Sequence, residues 1–387
     1  MALVVYAGLG EELTCYSVDA ESGGLNRLGA VSLPAEVQYA VPDAAGEHLF
    51  VASSNRNNED SLNGTVHHLT TFKIDRQSGL LTLLGHPKPL PDRPIHLTID
   101  ADAKHLLVAF SDPAALRVYK VNADRTPGEM VAQAETIEPG IYPHQVRVTP
   151  DAKQVILVSR GHNAKNGKPE EPGCLKVFDF SEGQLRNEVS VAPNGGFGFG
   201  PRHLDFHPNG HWIYVALERQ NKLQLFDRSN GRVSEQALFT AETLTDPSLS
   251  GHRQMVGTVR VHPSGRFVYV ANRGDEKKDD GGQKVFAGGE NSLAVYAIDP
   301  VTGAPALIQH VDPGGIHCRN FQLDPSGRAM VASHVKAIKV RQGDKIATVP
   351  PRISLFRVAD DGRLTLSKTH DIDTSGRRIF WMGLQAL

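Results

Sequence analysis

The chain has 387 residues, 40% of them hydrophobic, enough apolar material for a large core, which excludes a disordered chain or a small disulfide scaffold. Its 41 Lys and Arg nearly balance 43 Asp and Glu, a formal charge of -2 without a long basic run, which argues against nucleic acid or an anionic membrane as the main partner and for a small ligand. Cys15, Cys174 and Cys318 are far apart, odd in number and without metal-ligand spacing, as expected of a reducing compartment.

The N-terminal "MALVVYAGLGEELTCYSVD" enters an alternating apolar pattern directly, without a basic segment or cleavage site, and no apolar run is long enough to span a bilayer. The expectation is a soluble, cytoplasmic protein. One hairpin then recurs: "VQYAVPDAAGEHLFVAS" from Val37, "HLTIDADAKHLLVAF" from His96, "HQVRVTPDAKQVILVS" from His144, "HLDFHPNGHWIYVAL" from His203, "TVRVHPSGRFVYVAN" from Thr258 and "NFQLDPSGRAMVAS" from Asn320. Successive copies begin 48 to 62 residues apart, room for about four strands. Each hairpin is followed by a third strand, such as "NKLQLFDR" or "NSLAVYAID", and a weaker fourth, such as "EQALFT". A seventh copy is split between the ends, "RRIFWMGL" supplying a first strand and "ALVVYAGL" a second. The spacing therefore predicts an all-β, seven-bladed β-propeller of four-stranded antiparallel blades, residues 1–387 as one domain, closed by the terminal strands. A pair of β-sandwiches, the alternative, would not repeat one hairpin seven times. Long inserts after Ser54, Arg273 and Ser333 all fall between second and third strands, so they are expected on one face.

In "FGFGPRHLDFHPNGHWIYVALE", Phe197 to Glu218, charges bracket a hairpin that is otherwise core. The start of a first strand and the end of the second share one end of the hairpin, and first strands line the channel of a propeller, so these positions converge at its mouth. First-strand starts supply His96, His144, Arg202 with His203, Arg319 with Asn320, and Arg377 with Arg378. Second-strand ends supply Asn55 with Arg56, Arg160, Glu218 with Arg219, Asn272 with Arg273, and His334. Cations dominate this set, which favours a small anionic ligand because Arg presents planar donors matched to carboxylate or phosphate. The competing reading is that individual arginines tie blades together.

The pattern "GPRHLDFHPNG...YVALE", with "VHPSGRFVYVANRG" and "YPHQVRVTPDAK", resembles the seven-bladed propeller lactonase family that includes 6-phosphogluconolactonases and the fungal carboxymuconate cyclase, over essentially the whole chain. The resemblance implies a catalytic set of His144, Arg202, Glu218 and Arg273, with His96, Arg160, His203, Asn272 and Arg319 as substrate-binding residues that the geometry adds. It departs from the phosphogluconolactonase pattern at "SRGHNAKNGKPEEPG", where Arg160 and His162 stand in place of an Asp-containing turn.

Other features carry less. "NGGFGFG" leads into a strand rather than a helix, so it reads as a loop beside the pocket and not a dinucleotide site. His207 and His262 sit in the repeated turns and read as surface positions, and no metal-binding motif occurs, although His96, His144 and His203 would be candidate zinc ligands if their rings converged. Cys318 beside His317 reads as core, since adjacent strand residues face opposite sides. The expected function is hydrolysis of a sugar-acid or related acidic lactone, without metal or other cofactor. Glu218 or His144 is the expected general base, and Arg202 and Arg273 hold the substrate anion and the developing oxyanion. Alternatives are a cycloisomerase acting on a muconate-type diacid and a non-enzymatic propeller scaffold.

Overall fold

Each repeated hairpin forms the two inner strands of a four-stranded antiparallel sheet, and seven such sheets ring one channel in the computed structural model, which describes residues 2–55, 64–165, 167–251 and 253–387. The innermost strands are Val37–Pro42, Pro94–Ile99, Pro143–Val148, Pro201–Phe206, Gln254–Val261, Cys318–Leu323 and Ile379–Ala386, blades 1 to 7. The last pairs with Leu3–Leu9, so the split blade closes the ring as the sequence predicts and Leu3–Leu9 is not left as an edge strand. The expected third strands are Lys222–Asp227 and Ser292–Ile298. The fourth strand of blade 4 begins later than "EQALFT", at Phe239, because Ser234 first folds back to donate its amide to the Asp227 carbonyl.

The core is seven clusters, one at each interface between consecutive blades. Leu97, Val108 and Phe110 of blade 2 meet Phe50 and Leu69 of blade 1, for example, while Val4, Tyr6 and Trp381 of blade 7 meet Val37, Leu49 and Phe72. Each sheet is thus covered on both faces, which is why second strands such as Leu3–Leu9 are buried at every position rather than at every other one. Polar latches join neighbours: Tyr6, Tyr214 and Tyr269 each donate a phenol proton to the carbonyl of a glycine in the next blade, Gly79, Gly303 and Gly362. His207 and His262 are latches as well. Their Nε2 atoms lie 2.7 and 2.9 Å from the Gly265 and Gly327 carbonyls, so they are partly buried ties between blades, not the plain surface positions that their turn location suggested.

The three inserts leave from the same end of their blades, as expected. Residues 56–63 of the first, including Arg56, lie outside the described residues. The other two form hairpins, Lys277–Asp280 with Gln283–Phe286 and Ile338–Gln342 with Lys345–Val349, which join where Arg341 Nε donates to Asp280 at 2.7 Å and Lys339 to Gln283 at 2.8 Å.

One irregularity recurs around the ring. In every innermost strand the pairing slips near its start, skipping Gln38, Ile95, His144, Arg202, Arg319 and Phe380 in six blades and shifting between Val256 and Val259 in the fifth. A β-bulge leaves the extra residue unpaired and re-aims its side chain. Three of the bulged residues are His144, Arg202 and Arg319.

Candidate active site

The bulges and second-strand ends build a single cluster of charge at the mouth on the insert side. Pro143 pairs with Ser159, Pro201 with Leu217 and Val256 with Asn272, so Arg160, Glu218 and Arg273, each one residue further, occupy the same register position in blades 3, 4 and 5. Consecutive blades thus present Arg, Glu, Arg side by side. Arg160 Nη1 lies 2.5 Å from Glu218 Oε2, Arg273 Nη2 donates to Oε1 at 2.7 Å, and the bulged Arg202 brings Nε to 3.1 Å from Oε1. Arg219, 42% exposed, stays 3.8 Å away. Glu218 and Arg202 are 3% and 1% exposed.

Burial by itself would raise the Glu218 pKa, but Arg160, Arg273 and Arg202 outweigh it and hold the carboxyl well below the usual range. Burial, then repulsion from Arg273, pushes Arg202 down to about 9, which leaves it charged at neutral pH. One carboxylate neutralises one of these arginines, and the remainder is a buried positive field. Arg319 adds to it: its guanidinium stacks 4.1 Å from the Phe380 ring, and it has no carboxylate or hydrogen-bond partner among the described residues.

Beside the arginines lies a row of imidazoles. His144 and His203 have ring centroids 5.2 Å apart, His203 and His96 6.2 Å, and His96 and Tyr39 3.8 Å. Burial, reinforced by Arg202, pushes the pKa of His144 and His203 well below the ordinary value, and burial with Arg147 and Arg260 does the same to His96, so all three are neutral. Arg202 Nη1 is 3.3 Å from both ring nitrogens of His203, so it lies against the ring rather than in line with one nitrogen. His144 Nδ1 is buried and unpartnered. The rings converge, yet among the described residues no three His, Cys, Asp or Glu side chains are grouped so as to hold a metal ion.

The sequence-derived set divides here. Arg160, Arg202, Glu218 and Arg273 are in direct contact, with His144, His203 and Arg319 beside them, and His96 sits deeper. Asn272 is turned away, its amide spent on the Thr243 carbonyl and Ser292 Oγ in the fully buried wall. Asn320 donates to the Phe380 carbonyl, His334 is bonded to the Pro313 carbonyl and Ser354, and Asn55 caps the Thr65 and Val66 amides. Arg378 pairs with Glu36 at 3.1 Å, and Arg377 with the Thr374 carbonyl. The glycine-rich segment packs on the blade 3 connection, Gly173 donating to the Gly196 carbonyl.

Sequence reasoning set His317 aside together with Cys318 and passed over Asp275 and Tyr142. His317 Nε2 meets Arg273 Nη1 at 3.0 Å, and its Nδ1 is 3.7 Å from Asp275, which also faces Arg253 and Lys336. The Tyr142 ring lies under the Arg160 guanidinium at 4.3 Å. Both residues stand just before an innermost strand in the left-handed region, φ +62 and +55, which turns their side chains into the mouth. Their shared offset, two residues before a bulged Arg or His, is the signal that would have found them.

Taken together, the mouth can bind an anion on surplus guanidinium, stabilise negative charge that develops on an oxygen, and accept a proton at a neutral imidazole. Comparison with known proteins agrees on architecture. A family model described as lactonase, 7-bladed beta-propeller matches residues 4–342. The chain is 26% identical over 279 residues to a 6-phosphogluconolactonase of Bacillus subtilis, covering 69% of this chain and 70% of that protein. It is 22% identical over 386 residues to one of Yersinia pestis, covering 97% and 95%. Among solved structures, a putative 6-phosphogluconolactonase from Bacteroides uniformis superposes with a TM-score of 0.72 at 20% identity, and a periplasmic gluconolactonase of Pseudomonas aeruginosa with 0.71 at 21%, each covering 99% of both chains.

Proposed function

We propose that this chain, which belongs to the seven-bladed β-propeller lactonase family, hydrolyses the lactone of an acidic sugar at the insert-side mouth. The observation that carries the reading is the cluster of three buried guanidiniums on the Glu218 carboxylate, next to an unpartnered neutral imidazole. Arg319, unpaired and stacked on Phe380, receives the substrate's carboxylate or phosphate. Arg202 and Arg273, fixed by Glu218, supply donors to the carbonyl oxygen as it takes up negative charge, and because they are held in place before substrate arrives they need no reorganisation at that step. Of the two expected bases, His144 is the better suited. Its Nδ1 is free and its proton affinity is low only because the site is buried and cationic, whereas the Glu218 oxygens are occupied by three guanidiniums. His144 then takes the proton of the attacking water and returns it to the ring oxygen as the acyl C–O bond breaks, so the lactone opens to its hydroxy acid.

The test is proton release by purified protein on 6-phosphogluconolactone and on uncharged gluconolactone, against the spontaneous rate. His144→Asn is expected to lower kcat on the order of 10² to 10⁴-fold with little change in KM. Arg319→Gln is expected to raise KM for the charged lactone at least about ten-fold and to spare the uncharged one. Absence of hydrolysis above the spontaneous rate across acidic lactones would overturn the proposal, and activity on muconates instead would favour lactone closure.

A further inference from the structure

The channel has a second mouth on the face opposite the inserts, and it holds a cavity of about 450 Å³. Its lining follows from strand periodicity. Two residues beyond His96, Gln145, His203, Thr258 and Asn320 stand Thr98, Arg147, Asp205, Arg260 and Gln322, so the same strands that carry the first site project a second polar ring further along.

Two observations mark this ring as a site. The first concerns charge. Arg147 Nη1 pairs with Asp205 Oδ1 at 3.0 Å, and Asp205 Oδ2 accepts the Val261 amide at 2.9 Å, so both carboxylate oxygens are engaged. Arg260 is then in surplus, the one hydrogen bond of its side chain among the described residues being to the Val259 carbonyl at 3.2 Å. The second concerns His96, which is 1% exposed, lines the cavity, and has no partner for either ring nitrogen. A buried polar group left unmade costs about 1–3 kcal/mol, so a donor and an acceptor facing a cavity are sites for something that enters it. Tyr39 and Trp381 complete the wall with aromatic surface.

We infer that the opposite mouth binds a small hydroxy-carboxylate, its carboxylate on Arg260 beside Arg147 and a hydroxyl on the His96 ring. A surplus guanidinium selects the anion, the imidazole selects a neighbouring hydroxyl that can both donate and accept, and the volume and aromatic wall suit an organic molecule better than a bare inorganic ion.

The sequence has two tryptophans, and Trp212 sits elsewhere, against His207 and Gly303. In a Trp212→Phe background Trp381 becomes a reporter inside the cavity. Titration with gluconate is expected to give a saturable fluorescence change, and sorbitol, the uncharged counterpart, none. Arg260→Gln should weaken the response at least about ten-fold, as should Ala44→Phe, which plugs the rim from an exposed turn and decides the matter if Arg260→Gln fails to fold. Arg319→Gln, at the other mouth, should leave it unchanged. No saturable change, an equal response to sorbitol, or loss on Arg319→Gln with retention in Arg260→Gln and Ala44→Phe would each overturn the inference, the last by placing the gluconate at the first site.

Discussion

The insert-side mouth and the turns at the opposite rim both carry charge, but they use it in opposite ways. At the mouth, Glu218 faces Arg160, Arg202 and Arg273 while almost fully buried, and no backbone amide depends on it in the contacts that hold it. At the rim, Asp43 accepts the amides of Glu47 and His48 and the ring of His48, and Asp100 repeats the pattern with Lys104 and His105. The rim carboxylates close turns, which is a structural task. The mouth concentrates like charges where desolvation makes them expensive, and a buried ion-pair cluster is weak evidence of stabilisation, so its retention speaks for binding.

If that contrast is right, the channel that runs between the two mouths is where the protein is vulnerable to acid. His96, His144, His203 and His317 are held neutral, first by burial and then by neighbouring arginines, with pKa values well below normal. In the unfolded chain each takes up a proton as the pH falls through about 6.5, while in the fold it does not. The unfolded state therefore binds more protons below that pH, so the stability these groups contribute is complete above about 6.5 and is lost on acidification. Each histidine adds a slope of at most about 1.4 kcal/mol per pH unit below that point, so the four together should make stability fall steeply on acidification. Urea unfolding at several pH values reads this directly. A His96→Phe variant should flatten the slope by about a quarter, and a pH-independent midpoint would mean that the channel tolerates still more positive charge.

The next largest effect belongs to the carboxylate. Glu218→Gln keeps the shape but leaves three guanidiniums without their counter-ion, and breaking one side of a buried pair typically costs about 3–5 kcal/mol. Melting measurements should show that loss, and added sulfate should recover more stability in the variant than in the parent, because the anion replaces the missing charge. Equal responses to sulfate would indicate that the arginines are already compensated by other groups.

How far the sequence discloses each region follows from the same contrast. Periodicity and turn spacing reveal the blades, the closure by "ALVVYAGL" and "RRIFWMGL", and the common face of the inserts, because those depend on patterns that repeat. They also bring Arg160, Glu218 and Arg273 to one mouth. They do not explain why Arg202 and His203, adjacent in a strand, both serve it, since alternation sends neighbours to opposite faces. The bulge between Pro201 and His203 resolves this, and a bulge has no composition of its own: the skipped residue is Gln, Ile, His, Arg or Phe in different blades. Asn272 and Arg273, neighbours in one strand, part by the same alternation, one facing the wall and the other the channel. His317 is missed because its left-handed backbone, not its neighbours in sequence, aims it.

The smallest effect expected is the one that isolates the contrast. Asp43→Asn makes at the rim the same chemical change as Glu218→Gln at the mouth, carboxylate to amide, in a residue of comparable burial. The amide oxygen can still accept the Glu47 and His48 amides at positions now 2.8 and 3.2 Å from Oδ1, and its nitrogen stays within reach of the His48 ring in place of the 2.7 Å contact. No buried arginine is stranded. The cost should be about 1 kcal/mol or less, the worth of a charge-assisted bond exchanged for a neutral one. Turnover of whichever lactone the protein accepts should stay within about two-fold of the parent, since Asp43 touches none of the arginines at the mouth. A ten-fold loss of kcat/KM with the fold intact would show that the rim turns set the geometry of the channel's far end, and the division between a structural rim and a chemical mouth would fail.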